Sequence, residues 1–167
     1  MIQILDNPKF KEYMSVKDMI LDETFPWNWK SETLDDANDF GFHYHGFLVR
    51  PNKQFYYPQA TSQRTKYVHD AIVEILNFNQ IDFQFIWRIC ANSVNPTETG
   101  SYSRPHVDHP WPHKNLLIHL NDPNGGETIV DGELNIGEED QAIVFEGMHF
   151  HAPPTRDRRV VIVATFS

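Results

Sequence analysis

The chain has 167 residues, which suits a single domain with a substantial core, and we expect one domain over residues 1–167. Its formal net charge of −9 argues against a nucleic-acid partner, because nucleic-acid binders usually present a basic face to the phosphates. No apolar run approaches the roughly 18 residues of a membrane span, the N-terminus lacks the pattern of a secretory signal, and Cys90 is the only cysteine. We therefore expect a cytoplasmic protein without a membrane partner, and its oligomeric state stays open.

Two helices are predicted in the first half of the chain. Residues 8–21 are predicted to form a helix with Asn7 as its cap and Pro8 at its first position. The segment 40–49 is rich in aromatic and branched residues and is predicted to be extended. Residues 62–78 place apolar side chains at i, i+3, i+4, i+7 and i+8, which predicts a helix with one buried face.

Short strands are predicted for the rest of the chain. Apolar residues alternate with polar ones over 81–89, a period of two that predicts a strand with one buried face. Further strands separated by Gly and Pro turns are predicted near 99–106, 114–120, 126–131, 141–146, 148–152 and 159–166. The pattern predicts a mostly β (α+β) fold, a sandwich or barrel, with a helical part at about 1–80 packed outside one sheet and a barrel core at about 81–167.

Histidines concentrate in one part of the sequence, with six of the nine lying between His106 and His151. On a strand, His106 and Asp108 would point to the same face and could reach one ion. Alone this pair is weak evidence, because a His-x-Asp pair arises readily by chance in such a chain. A second histidine from a later strand, such as His151, would complete a two-histidine, one-carboxylate set, which suits Fe(II) and leaves open positions for a co-substrate and O₂.

Four ordered segments resemble a known family. They read GSYSRPHVDHP, IHLNDPNGGETIV, QAIVFEGMHFHAPP and RRVVIVATF. In order, they contain a His-x-Asp pair, a Gly-Gly-x-Thr turn, a Phe-x-Gly-x-x-x-His strand and a basic residue about eight to eleven positions later. Together they resemble the short, single-domain, prolyl-hydroxylase-like members of the 2-oxoglutarate/Fe(II)-dependent dioxygenases. The resemblance covers roughly residues 84–167 and implies a double-stranded β-helix, or jelly-roll, barrel.

The resemblance also implies roles for individual residues. His106, Asp108 and His151 match the iron ligands, which would make them the catalytic centre, although His149 on the same face remains an alternative to His151. Arg159 matches the arginine that binds 2-oxoglutarate, with Arg158 as its competitor. An arginine facing inward on the otherwise apolar strand 159–166 would need an anionic partner.

Four further polar residues lie within or between the matching segments. Tyr102 matches a tyrosine that hydrogen-bonds the co-substrate in the family, and a packing role is equally compatible with its position. Asn115 and His119 are expected to face the pocket, and Asn115 is a candidate for the co-substrate site. Thr128 is interpreted as serving strand geometry.

The implied activity is oxidation by O₂ with Fe(II) as cofactor and 2-oxoglutarate as co-substrate, coupling decarboxylation to hydroxylation of a peptidyl residue or a small molecule. Two alternatives stay open. The first is a cupin-type metal enzyme, a dioxygenase or isomerase that does not use 2-oxoglutarate. The second is a barrel that binds metal without turnover.

Overall fold

The computed structural model describes residues 1–35, 37–52, 54–98 and 100–167. The described chain is mostly β and contains two helices. The elements in chain order are β1 (Gln3–Leu5), α1 (Lys11–Leu21), β2 (Asn28–Lys30), β3 (Phe42–Val49), β4 (Gln59–Ala60), α2 (Thr65–Phe78), β5 (Ile86–Val94), β6 (Lys114–His119), β7 (Thr128–Val130), β8 (Glu133–Asn135), β9 (Ala142–Phe145), β10 (His149–His151) and β11 (Arg159–Phe166).

The strands form two antiparallel sheets. The larger sheet has eight strands in the order β1-β9-β6-β11-β5-β3-β2, with β4 paired to β3. The smaller sheet has the order β10-β7-β8. Strand β11 lies at the centre of the larger sheet between β5 and β6, and all eight of its residues are buried. Its near-continuous apolar sequence is typical of a strand covered on both faces.

The two faces of the larger sheet are covered by two different apolar clusters. On one face, α1 and α2 pack through Tyr13, Val16, Ile72 and Ile75 in the main apolar core. On the other face a smaller apolar cluster includes Val130 of the smaller sheet, so the second sheet covers that side. The expected placement of the helices outside one sheet is confirmed, and the interior between the sheets is left for a cavity.

Helix α2 matches the apolar stripe predicted within 62–78, whereas α1 begins later than predicted. The residue before the first turn of α1 is Phe10, and Lys9 has a φ of +54° that a helix cannot contain. The Asn7 side chain accepts a hydrogen bond from the Lys9 amide and donates to the carbonyl of Asp140. Asn7 therefore caps a turn that precedes the helix, and the prediction of a start at Pro8 was wrong.

The strand predicted over 81–89 is displaced. Strand β5 begins at Ile86 and continues to Val94, and Phe85 is 55% exposed. The ladder with β11 pairs Arg88 with Thr165 and then Ile86 with Phe166, so Trp87 is an extra residue that forms a bulge. A bulge reverses which residues face the core, and the alternation before it lies outside the strand.

No strand covers 100–106 in the described structure, and Thr99 lies outside the described residues. Instead, His106 forms an isolated antiparallel bridge with His149. The short strands β1, β2, β4 and β8 were not predicted, because two or three residues carry too little periodicity to be recognised. Among the described residues, no helix combines the length and apolar character required to cross a membrane.

Candidate metal centre and cavity

A cavity of about 250 Å³ lies between the two sheets. One side is formed by apolar side chains of β5, β6, β9 and β11. Its polar lining includes His106, Asp108, His149, His151, Arg88 and Arg159. These are the residue types that bind metals and organic anions, so the cavity is the candidate functional site.

Three histidines meet in this cavity because of strand pairing. His149 and His151 are two residues apart on β10 and so share a face. The backbone groups of His106 and His149 exchange two hydrogen bonds of 2.9 and 3.0 Å, which places both side chains on that same face. One ring nitrogen from each of the three histidines lies within 4.8 Å of the others, a spacing at which they could hold an ion.

Two of these histidines have a defined tautomer when neutral. The Nδ1 atom of His106 donates to the carbonyl of Arg104 at 2.9 Å, and Nδ1 of His149 donates to the carbonyl of Gly147 at 3.1 Å. A carbonyl only accepts hydrogen bonds, so in both rings Nε2 keeps its lone pair for a ligand. Burial lowers the pKa of His149, and the neutral form that binds metal is thereby favoured.

His151 lies in a different hydrogen-bond network. Its Nδ1 is 3.1 Å from Oγ1 of Thr128, a hydroxyl that can donate or accept. The same hydroxyl accepts a hydrogen bond from Nη2 of Arg159 at 3.1 Å. Burial, with a smaller contribution from Arg159, lowers the pKa of His151 well below its ordinary value. His151 is therefore neutral, and the Thr128 hydroxyl connects it to Arg159.

Asp108 lies outside the group of three histidines, because its carboxylate is paired elsewhere. One oxygen, Oδ1, is 2.8 Å from Nη2 of Arg88. The other, Oδ2, faces Nε2 of His149 at 3.7 Å. Burial opposes ionisation of Asp108, but Arg88 and the nearby histidines outweigh it and hold the pKa of this carboxyl below its ordinary value. An ionised oxygen therefore points at the bare nitrogen of His149.

Arg159, the first residue of β11, is a buried cation that forms no ion pair among the described residues, although the charge of Glu127 acts on it from a longer distance. It is 3% exposed, and its Nε has no hydrogen-bond partner. Within the described parts of the chain no carboxylate lies within 4 Å of it. Burial lowers the pKa of Arg159 to about 10, so the side chain is still charged at neutral pH. An unpaired buried charge is costly, and this arrangement favours binding of an anion.

The turn before β7 makes room for Arg159. Gly126 has a φ of +77°, and a β-carbon at this position would lie 2.6 Å from Cδ of Arg159. Glycine is required here both by the backbone conformation and by the close approach of the arginine. Two residues later, Thr128 is fully buried and accepts the hydrogen bond from Arg159. The Gly-Gly-x-Thr segment thus shapes the Arg159 site, and Thr128 does more than the strand geometry assigned to it from the sequence.

The structure separates the predicted site residues into two groups. His106, Asp108, His151 and Arg159 all line the cavity, and Arg159 shares its face with Val161 and Val163 as expected. Arg158 is exposed outside the cavity. The preference for Arg159 over Arg158 as the inward-facing arginine therefore agrees with the geometry.

Tyr102 and Asn115 do not line the cavity. Tyr102 is 52% exposed and packs edge-on against Phe150. Asn115 is buried, but it pairs with Thr165, at the opposite end of β11 from Arg159. Both residues therefore lie outside the cavity that contains Arg159.

Comparisons with known proteins identify the fold. Neither a protein-family model nor a curated protein matches the sequence. A 2OG-Fe(II) oxygenase family oxidoreductase from Burkholderia pseudomallei is similar in structure, with a TM-score of 0.71, 17% identity, and coverage of 99% of this chain and 84% of that one.

Two prolyl hydroxylases are similar as well. The one from Trichoplax adhaerens, solved with a hypoxia inducible factor peptide fragment, has a TM-score of 0.61 and 11% identity, and the match covers 99% of this chain and 82% of that one. A Pseudomonas putida prolyl-4-hydroxylase has a TM-score of 0.57 and 14% identity, with coverage of 99% and 90%. The antiparallel sheets and two helices are consistent with the jelly-roll fold of these proteins. Over its whole length, this chain therefore has the fold of the 2OG-Fe(II) oxygenases and prolyl hydroxylases.

Proposed function

We propose that this chain is an Fe(II)- and 2-oxoglutarate-dependent oxygenase. The observation that carries the proposal is Arg159, a buried guanidinium that forms no ion pair among the described residues and faces the same cavity as the histidine cluster. A metal site alone would not need this arginine. A dicarboxylate that reaches both the metal and Arg159 would compensate its charge, and 2-oxoglutarate has this chemistry.

The donor set in the cavity fits iron. His106 and His149 each keep Nε2 free, and Oδ2 of Asp108 lies 3.7 Å from that atom of His149, too far for a hydrogen bond. Two acceptors that face each other at this distance are stabilised by a cation between them. Two neutral imidazoles and one carboxylate are the set typical of non-haem Fe(II) oxygenases. We therefore assign His106, Asp108 and His149 as the metal ligands.

This assignment replaces the sequence-based preference for His151 as the distal ligand. The contacts of His151 with Thr128, and through it with Arg159, favour a role in shaping the co-substrate site. His151 remains the alternative ligand, because one of its ring nitrogens belongs to the same cluster.

Each group then has a defined task. Bound Fe(II) supplies the activation of O₂ that couples decarboxylation of 2-oxoglutarate to oxidation of the substrate. Arg159, held by Thr128, binds the distal carboxylate and fixes the direction of the co-substrate. The carbonyls of Arg104 and Gly147 keep the two histidine rings in the ligating tautomer. The apolar residues Leu117, Val161 and Val163 exclude water around the reacting groups.

The remaining expectations complete the proposal. The two sheets would form one double-stranded β-helix barrel, within a single domain spanning the chain. The substrate class is a peptidyl residue or a small molecule, oxidised by hydroxylation in the cytoplasm. The similarity to a prolyl hydroxylase solved with a peptide fragment supports the peptidyl option only by analogy of fold.

The rival function is that of a cupin-type dioxygenase or isomerase, which would use the same ligands without 2-oxoglutarate. A barrel that binds metal without turnover is the second rival. Arg159 distinguishes the first rival, because only the proposed function needs its charge inside the cavity. Formation of succinate from 2-oxoglutarate distinguishes the second.

The decisive experiment is an anaerobic titration of the protein with Fe(II) and 2-oxoglutarate, followed by visible absorption. We expect the weak metal-to-ligand charge-transfer band of a chelated 2-oxo acid. With Arg159→Gln, the band should require at least tenfold more 2-oxoglutarate, while iron binding stays unchanged. Arg158→Gln, which removes the neighbouring exposed charge, is the matched control. Bound iron without any band would contradict the proposal.

The choice between the two distal histidines is tested in the same assay. His149→Ala should abolish stoichiometric binding of Fe(II), whereas His151→Ala should retain iron and weaken 2-oxoglutarate. The reverse pattern would restore His151 as the ligand. His43→Ala, a partly exposed histidine on β3, controls for loss of a histidine as such.

A further inference from the structure

The cavity differs in charge from the molecule that contains it. The chain has 14 Lys and Arg residues against 23 Asp and Glu residues. Among the described residues, however, the charged side chains that line the cavity are four cations and one acid. They are Lys30, Arg50, Arg88, Arg159 and Asp108. This local excess of positive charge runs against the overall composition and requires a reason.

Two of the four cations are explained by the proposed function. Arg159 would bind the distal carboxylate of 2-oxoglutarate. Arg88 is paired with Asp108 at 2.8 Å. Iron adds two positive charges and the dianionic co-substrate removes two, so the loaded site keeps an excess of three positive charges, two of which belong to Lys30 and Arg50.

Lys30 and Arg50 are exposed at the mouth of the same cavity. Nζ of Lys30 lies 4.7 Å from the centre of the Tyr44 ring. Nη1 of Arg50 donates to the backbone carbonyl of Asp108, which anchors the guanidinium beside the candidate metal ligand. Within the described part of the chain, neither side chain has a carboxylate within 4 Å. Both cations therefore lie at the entrance, and no described carboxylate neutralises their charge.

The wall next to these cations is apolar. Phe40, Phe42 and Val94 form a separate buried cluster, against which Tyr44 packs. All four side chains line the cavity. A ligand that enters here meets an aromatic surface on its body and two positive charges at its outer end.

Resting on the proposed function, we infer that the oxidised substrate is a small amphiphilic anion, with an apolar body and a carboxylate or phosphate group. The apolar body contacts Phe40, Phe42 and Tyr44, and the anionic group binds Lys30 and Arg50 at the mouth. The rest of the molecule then lies in the cavity that also contains the metal ligands. The charge at the mouth thus selects the substrate and fixes its direction.

The acidic surface is compatible with a small anion but not with a long one. At physiological salt, exposed charges are screened beyond about 8 Å, so a short molecule at the mouth experiences mainly Lys30 and Arg50. A polyanion or strongly acidic peptide would extend over the rest of a surface with net charge −9. We therefore expect a substrate short enough to stay at the positively charged mouth and away from the acidic surface.

The test uses three probes of similar shape, 3-phenylpropanoate, 2-phenylethyl phosphate and the neutral 3-phenylpropanamide. Each is titrated by anaerobic calorimetry onto protein loaded with Fe(II) and saturating 2-oxoglutarate. We expect at least one anion to bind tenfold or more tightly than the amide, with an affinity that falls as salt is raised. Comparison of the two anions shows whether the site prefers carboxylate or phosphate.

In the double variant Lys30→Gln/Arg50→Gln, the affinity for the anion should fall to the affinity for the amide. The pair Lys11→Gln/Arg156→Gln removes the same two charges from exposed positions elsewhere and should preserve the preference. Arg50→Lys keeps the positive charge and should therefore preserve most of the preference for the anion over the amide. The charge-transfer band of bound 2-oxoglutarate is recorded in every sample, so that failure of the oxygenase proposal is seen separately. Three results would overturn the inference. The anions could bind no more tightly than the amide, or neither anion could show saturable binding although the charge-transfer band is present. The third is that Lys30→Gln/Arg50→Gln still binds the anion more tightly than the amide.

Discussion

At the scale of single residues, Arg88 controls the carboxylate among the proposed ligands. Its Nη2 holds Oδ1 of Asp108 at 2.8 Å, so the free oxygen Oδ2 faces His149. Groups that orient a metal ligand typically contribute 10- to 100-fold in metal affinity. Arg88 is therefore a positioning residue for Asp108.

We predict that Arg88→Gln weakens binding of Zn(II) or Mn(II) by roughly 10- to 100-fold, measured by calorimetry at constant pH. Arg88→Lys should recover part of the loss, because it keeps the charge without the planar geometry. Arg64→Gln is the control, since Arg64 lies over the Phe25 ring, away from the cavity. An unchanged affinity in Arg88→Gln would show that Asp108 is oriented without its ion pair.

His119 predicts how stability depends on pH. Burial, with a smaller contribution from Arg159, lowers the pKa of His119 from 6.5 to about 3. Below pH 6.5 the unfolded chain takes up a proton here that the folded protein does not. The stabilisation is thus complete above pH 6.5 and is lost as the pH falls toward 3, at about 1.4 kcal/mol per pH unit.

The measurement is urea unfolding of the metal-free protein at pH 6.5 and pH 4.5. Between these values, wild type should lose about 2 kcal/mol more stability than His119→Gln, which carries no titratable group at that position. Comparison with this variant cancels the contributions of the other buried histidines. Parallel pH profiles for the two proteins would contradict the pKa shift.

The sequence was informative about some site residues and silent about others. The resemblance matched Arg159 to an arginine that binds 2-oxoglutarate, and Arg159 does line the cavity. The resemblance also favoured His151 as the distal histidine, but His149 stayed open as an alternative because the two residues share one face. The distinguishing feature is the partner of each Nδ1, a carbonyl for His149 and a hydroxyl for His151. Gly147 is only two residues from His149, but Thr128 is 23 residues from His151, so the second hydrogen bond depends on how β7 pairs with β10.

At the scale of secondary structure, the carboxylate of Asp140 links α1 to the segment before β9. Asp140, just before β9, accepts a hydrogen bond from the Tyr13 hydroxyl and pairs with Nζ of Lys17 at 2.6 Å and Nζ of Lys9 at 2.9 Å. The side chains of Asp140 and Lys17 are both only 8% exposed. Removal of one partner from a buried pair leaves an uncompensated charge.

We therefore predict that Asp140→Asn lowers the free energy of unfolding by about 3 kcal/mol, measured by chemical denaturation. Asparagine tolerates the φ of +66° at this position, so the backbone should be kept and only the charge lost. Glu139→Gln is the matched control, because Glu139 is half exposed and also pairs with Lys17. That variant should lose less than about 1 kcal/mol. Equal losses in the two variants would refute the special role of Asp140.

Secondary structure was predictable where a long pattern existed. The apolar stripe of α2 runs from Val68 to Leu76 and identified the helix. The alternation over 81–89 misplaced β5, because the bulge at Trp87 changes which residues face the core. The segment 99–106 was predicted as a strand, yet in its described part, 100–106, only His106 forms a bridge. Local patterns cannot report a bulge or an isolated bridge, since both depend on the partner strand.

At the scale of the whole molecule, Zn(II) and 2-oxoglutarate should stabilise the fold one after the other. A ligand present at 100 times its Kd stabilises the folded state by about 2.7 kcal/mol. For a chain of this length, that corresponds to a rise in Tm of roughly 5 to 10 °C. We predict one such rise with Zn(II) and a second when 2-oxoglutarate is added to the Zn(II)-loaded protein.

Differential scanning calorimetry of wild type and Arg159→Gln measures both steps. The variant should keep the rise with Zn(II) and lose the rise with 2-oxoglutarate at the same concentration. A rise with 2-oxoglutarate that does not require the metal would indicate binding by Arg159 alone. In that case the co-substrate would not chelate the ion, and the proposed chemistry would fail.

The ion pair between Arg88 and Asp108 also bears on the order in which the protein is assembled. A carboxylate brought into a cavity without a counter-charge would oppose folding until a metal arrived. Here the counter-charge is part of the chain, so Asp108 can be buried without a metal. The proposed metal would then be taken up by a polypeptide that has already folded.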